Sequence, residues 1–125
     1  MLGDALKTTV IVDNRGGAGG SIAARQVAKS APDGATLLLA FTGTLAVSPL
    51  IFANVGYDPR KDFAGIGLIG MAPSVLAVHP SVPARSVADL IGIAKAEPGK
   101  IQYGSPGIGT TNHLAGELLA AMTGI

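Results

Sequence analysis

The chain has 125 residues and a mass of 12.4 kDa, the length of one ordinary domain. Its 48% hydrophobic and 14% charged residues argue against disorder, and a net charge of +1 with nine scattered Lys and Arg argues against a nucleic-acid-binding stripe. The absence of cysteine removes thiolate chemistry, and His79 and His113 stand far apart without a carboxylate at ligand spacing, so neither a metal nor another cofactor is expected.

In chain order, "TTVIVDN" at 8–14 is β-branched and apolar and runs into "RGGAGG", which predicts a buried strand ending in a glycine turn. From Ser21, "SIAARQVAKSA" places Ala23, Ala24, Val27, Ala28 and Ala31 on one helical face, and "PDG" at 32–34 ends the helix. A continuous apolar run at 35–41, "ATLLLAF", predicts a second strand of the kind covered on both faces. Strand, helix and strand make a βαβ unit.

Ser48 and Pro49 read as the N-cap and first turn of a short helix through Phe52. A polar loop, "GYDPRKDF" at 56–63, precedes two short apolar runs read as strands, "GIGLIG" at 65–70 and "SVLAVHP" at 74–80. Ser86 and Asp89 form a capping box for a helix whose face is Val87, Leu90, Ile91 and Ala94. After "EPG" comes a strand at 101–105, "IQYGS", and then a helix with the stripe Leu114, Ala115, Leu118, Leu119 and Met122. The expected fold class is α/β.

No apolar run approaches the roughly 20 residues that cross a bilayer. "MLGDALKTTV" lacks the basic start, apolar middle and cleavage site of a secretion signal, so no signal peptide is expected in this chain.

Two glycine-rich turns carry the functional argument. "GSPGIGTT", Gly104 to Thr111, has the spacing of a phosphate-binding P-loop, but Thr110 stands where that loop has lysine and no acidic strand end offers a magnesium partner. "GGAGGS" at 16–21 suggests a dinucleotide turn, yet Ile22 is too bulky for close helix packing and "LLLAFTGT" supplies no acidic residue for a ribose.

A simpler chemistry survives. A helix N-terminus presents unpaired amides and about half an elementary positive charge, enough to attract a small carboxylate without a cationic side chain. Gly107 and Gly109 let backbone approach a guest, Thr110 and Thr111 add hydroxyls, and His113 in the first turn can orient the loop or touch the ligand. Thr42, Gly43 and Thr44 follow the strand at 35–41, at a carboxyl strand end where open α/β sheets bind ligands. Glycine turns and threonine N-caps also arise for purely structural reasons, so both readings stay open at this point.

Catalysis finds no support. Ser105 precedes Pro106 outside any nucleophile elbow, and Asp58, Asp62, Asp89, Glu97 and Glu117 sit in loops or on helix faces where solvation is the ordinary account.

The motifs N-x-x-G-A-G-G, A-P-D-G-x-T-L, Y-D-P-x-K-D-F, P-S-V-P-A and G-x-G-T-x-x-H-L-A-G-E occur here in that order. In combination, over nearly the whole chain, they resemble the Bug family, the extracytoplasmic solute receptors of tripartite tricarboxylate transporters. The resemblance implies a two-lobed, Venus flytrap-like fold of the type II periplasmic-binding-protein kind, without catalytic activity or cofactor. It implies a periplasmic protein that captures a small di- or tricarboxylate or related metabolite and delivers it to a membrane permease, with no role for nucleic acid. Carried over by motif, Thr42, Gly43 and Thr44 match the ligand loop of the first lobe, and Gly107, Gly109, Thr110, Thr111 and His113 that of the second.

Family members begin with a signal peptide, a strand and a proline- and glycine-rich loop, and continue far beyond the position of Ile125. The family fold is therefore expected only in part, with 1–71 as part of the first lobe and 72–125 as the beginning of the second. "MLGDALKTT" then reads as the end of a first helix cut into by Met1. The alternatives to solute capture are a nucleotide- or phosphate-binding enzyme using the Gly104–Thr111 turn, and a non-binding fragment prone to self-association through exposed apolar edges.

Overall fold

A computed structural model of the protein describes residues 2–125; Met1, placed by the sequence reading at the cut end of a helix, lies outside them. Among the described residues five α-helices follow one another: α1 Leu2–Leu6, α2 Ser21–Ala28, α3 Ser48–Ile51, α4 Val87–Ala96 and α5 Thr111–Thr123. A 3-10 turn at Ala18–Gly20 leads into α2, and a π-helical turn at Gly43–Val47 leads into α3.

The helices have local causes. Ser86 caps α4 by accepting from the Asp89 amide at 3.1 Å, while the Asp89 carboxylate accepts from the Arg85 amide at 2.9 Å. The predicted reciprocal pair is thus present, with its return bond reaching one residue further back. Thr110 caps α5 through the His113 amide at 3.3 Å, and Gly124 closes that helix in the left-handed conformation. Helix α2 starts at Ser21 as expected but stops at Ala28, so Ala31 is not part of its face.

The strands expected at 8–14, 35–41, 65–70, 74–80 and 101–105 do not form: among the described residues there is no β-ladder, and the α/β class is met on its helical side alone. The backbone at 9–14, 36–40, 63–78 and 101–104 makes no backbone hydrogen bond. The physical reason is a difference of range. A helix closes its hydrogen bonds within four residues, whereas a strand exists only beside a partner brought from elsewhere. A βαβ crossover therefore has no sheet here on which to close.

What the chain buries is small and largely polar. Among the described residues Ala24, Tyr57 and Leu90 are the buried apolar ones, beside buried Ser21, Thr44, Ser48 and Thr110. Tyr57 ties this group together: its hydroxyl donates to the Thr44 carbonyl oxygen and lies 3.3 Å from Ser21 Oγ. Its ring meets Phe63 edge-on, with centroids 5.8 Å apart. The Arg25 stem packs against Gly56, fixing the polar loop to α2.

Candidate functional site

Three glycine-rich segments converge. Residues 17–20 all have positive φ, a left-handed run that explains three glycines in four positions and leaves Ala18 at φ 47°. This run turns the Gly19 carbonyl toward the π-helical turn, where Thr44 Oγ1 donates to it at 3.0 Å. The third segment, 107–110, lies against both. A Cβ on Gly43 would fall 2.7 Å from the Gly109 carbonyl oxygen, and one on Gly19 would fall 3.2 Å from that of Ile108. The loops meet because side chains are missing where backbones touch.

Between them lies a solvent-open cleft of about 380 Å³, lined by residues 17–20, Phe41, Phe52, residues 106–108 and Thr110. Of the residues assigned from sequence, Gly107 and Thr110 line it. Thr110 is nearly fully buried, and its hydroxyl is engaged twice, donating to the Gly107 carbonyl at 2.7 Å and accepting from the His113 amide. Thr44 is spent on Gly19 in the same way. Gly43 and Gly109 are contact points between loops rather than cleft walls.

Thr42, Gly43 and Thr44 do not form a strand-end loop as expected. Gly43–Val47 is helical, Thr42 itself has helical φ and ψ, and Ser48 is the first residue of α3 rather than its N-cap. The Thr44 and Leu45 amides both donate to the Phe41 carbonyl, which starts the turn before the serine-proline pair is reached.

Free donors remain at α5. Among the described residues the Thr111 and Asn112 amides have no partner, and both residues are exposed at the open end of the helix. His113 Nδ1 is buried without a hydrogen-bond partner, while its Nε2 lies 3.8 Å from Glu117 Oε1. Glu117 also accepts from the Tyr103 hydroxyl at 2.7 Å; that carboxylate holds the Tyr103 phenol above its ordinary value. The Tyr103 ring lies across Gly116, so the extended segment before α5 folds back on that helix.

Two features escaped the sequence reading. Ser48 Oγ is fully buried with no hydrogen-bond partner, between Gly19 and Gly109, where an added Cβ would fall 3.4 and 3.5 Å from it. Phe41 and Phe52, read as strand and helix ends, are cleft walls. The glycine density at 16–20 was the available signal for the rest. No group of three or more His, Cys, Asp or Glu suited to a metal ion occurs among the described residues, and no helix there is long and apolar enough to cross a membrane.

Comparisons with known proteins give the chain its relatives. It is similar to the "UPF0065 protein in tcbD-tcbE intergenic region" of Pseudomonas sp. (strain P51), 38% identical over 124 residues, covering 99% of this chain and 37% of that protein. It is also similar to "Protein BugT" of Bordetella pertussis, 37% identical over 124 residues, covering 98% of this chain and 38% of the relative. A UPF0065 protein of Agrobacterium vitis is 38% identical over 110 residues, covering 88% of this chain and 32% of its own. The chain thus spans about a third of the length of such relatives. No solved structure matches it. The family model described as "Tripartite tricarboxylate transporter family receptor" matches residues 2–125, and the chain belongs to that family.

Proposed function

We propose that this chain carries part of the ligand-gripping surface of an extracytoplasmic, periplasmic solute receptor. The receptor binds a small di- or tricarboxylate without catalysis and hands it to a membrane permease. Residues 1–71 belong to its first lobe and 72–125 to the beginning of its second. The observation that carries this reading is the cleft between the glycine segments, bordered at α5 by a helix end with unpartnered Thr111 and Asn112 amides. An anion there meets amide donors and a positive helix end without displacing a cationic side chain.

In this reading Gly107 and Gly109 shape the loop, Thr110 fixes the helix end as its cap, and Thr111, Asn112 and His113 meet the carboxylate. Thr42, Gly43 and Thr44 hold the opposing segment in place. The phosphate-transfer alternative is disfavoured: no lysine occupies the position of Thr110, and the Thr110 hydroxyl already serves as a cap.

The test is amide chemical-shift mapping of the chain with succinate, citrate and ATP–magnesium. Carboxylates are expected to move the Thr111 and Asn112 signals, with a weak, millimolar-range response because only part of the receptor is present. Shifts with ATP–magnesium alone, or none at α5 with any carboxylate, would overturn the reading.

A further inference from the structure

The cleft between the glycine segments has walls of one chemical kind. None of its lining residues is charged, and the one side-chain hydroxyl among them, that of Thr110, is already spent on the Gly107 carbonyl and the His113 amide. The other lining side chains are hydrocarbon, with Phe41, Phe52, Pro106 and Ile108 the large ones. Phe41 is 46% and Ile108 62% exposed, so this apolar surface is open to a guest. The volume of about 380 Å³ lies in the range of small-molecule sites and is too small for a folded partner. At its edge stands the start of α5, where Thr110 belongs to the wall and, among the described residues, the Thr111 and Asn112 amides have no partner.

We propose that this cleft selects, among small carboxylates, a dicarboxylate with an unsubstituted hydrocarbon spine. Its first carboxylate sits on the α5 amides, its methylene or ring carbons lie on Phe41, Phe52 and Ile108, and its second carboxylate stays in the solvent-open mouth. The inference rests on the receptor reading above and narrows the ligand of that same site.

Two effects oppose each other here. The helix end alone, with about half an elementary positive charge, attracts the more highly charged anion more strongly and would favour citrate. Against that, a carboxylate or hydroxyl pressed on a hydrocarbon wall gives up water and gains no partner. Citrate carries three carboxylates and a hydroxyl on a short carbon frame, so seating one carboxylate at α5 brings the others against the walls. A methylene there is favourable instead, and each one fully buried strengthens binding by roughly fourfold.

The experiment is an amide and methyl chemical-shift titration of the 125-residue chain with succinate, adipate and citrate at constant ionic strength. Succinate and adipate carry the same charge and differ by two methylenes. Adipate is expected to half-saturate the Thr111 and Asn112 amide shifts at about a tenth of the succinate or citrate concentration, and to move the Ile108 methyl signals as well. Ile108→Lys, which puts a cation on an exposed part of the wall, should strengthen citrate binding severalfold and cancel the adipate advantage. Ile66→Lys, exposed and outside the cleft, should leave the order unchanged. Succinate or citrate binding as tightly as adipate, an adipate response at α5 that leaves Ile108 unmoved, or equal effects of the two lysine substitutions would overturn the proposal and leave the receptor reading standing. Silence at α5 with all three carboxylates would overturn the receptor reading, and this inference would fall with it.

Discussion

The glycine-loop contact and the extended segments invert the usual distribution of polarity. Around Thr44, Ser48 and Thr110 the chain buries hydroxyls and backbone, while Ile66, Leu68, Ile69 and Met71 stand in solvent. Tertiary order in this chain therefore comes from close backbone approach and directed hydrogen bonds, with apolar burial a minor term. Small residues permit the approach; Tyr57, Thr44 and Thr110 fix it.

The strongest way to break the contrast is Gly43→Ala. Its backbone is helical, where alanine is favoured over glycine by about 1 kcal/mol, so local propensity alone predicts stabilisation. The added methyl would instead lie 2.7 Å from the Gly109 carbonyl oxygen and 2.7 Å from the Phe41 ring, and overpacking of this kind costs about 1 to 3 kcal/mol. A fall in the urea midpoint is expected; a rise would show that the loops are not in contact. Tyr57→Phe should follow, removing the donor to the Thr44 carbonyl at a cost of about 1 to 1.5 kcal/mol, read in the same titration.

The opposite region should be silent in that assay. At concentrations where the chain is monomeric, Ile69→Ser is expected to change stability by less than about 0.5 kcal/mol, because its side chain has no cover to lose. A larger change would place hydrophobic packing where none is described.

The smallest effect sharpens the comparison from outside both regions. Asp89 is held below its ordinary carboxyl value, first by the Arg85 amide and then by the Ser86 side chain. A folded-state value below the unfolded one gives stability that is present above the unfolded value and lost as pH falls through the folded one. Acidification below 3.8 should therefore fray the start of α4, visible as a small loss of helical circular dichroism. Asp89→Asn should abolish that step. Asp58, beside Tyr57 at the edge of the loop contact, is held below its ordinary value in the same way, first by the Arg60 amide, so its turn should loosen over the same range.

These contrasts also mark what was legible in the sequence. The ends of α4 and α5 could be read because caps act within three residues: Ser86 with Asp89, Thr110 with His113. The apolar runs at 8–14, 35–41, 65–70 and 74–80 were legible as strand material but form no strands, since pairing depends on partners that periodicity cannot supply. Among the residues read from sequence, Gly107 lines the cleft, whereas the Ser48 hydroxyl, read as a simple N-cap, lies unpartnered between two loops distant in sequence. Thr44 was legible as a hydroxyl beside a glycine, but its commitment to the Gly19 carbonyl, 25 residues away, was not. Non-local approach of glycine backbones leaves no period in a sequence; it leaves only glycine.

The placement of Tyr57 has a spectroscopic consequence. The protein has no tryptophan and only two tyrosines, so its intrinsic ultraviolet emission arises from Tyr57 and Tyr103 alone. One ring is enclosed by the loop contact and the other is half exposed on α5, with its hydroxyl on Glu117. Replacing Tyr103 with phenylalanine would leave a single native fluorophore at the junction of α2 and the π-helical turn. Loosening of that junction then becomes observable without any attached label.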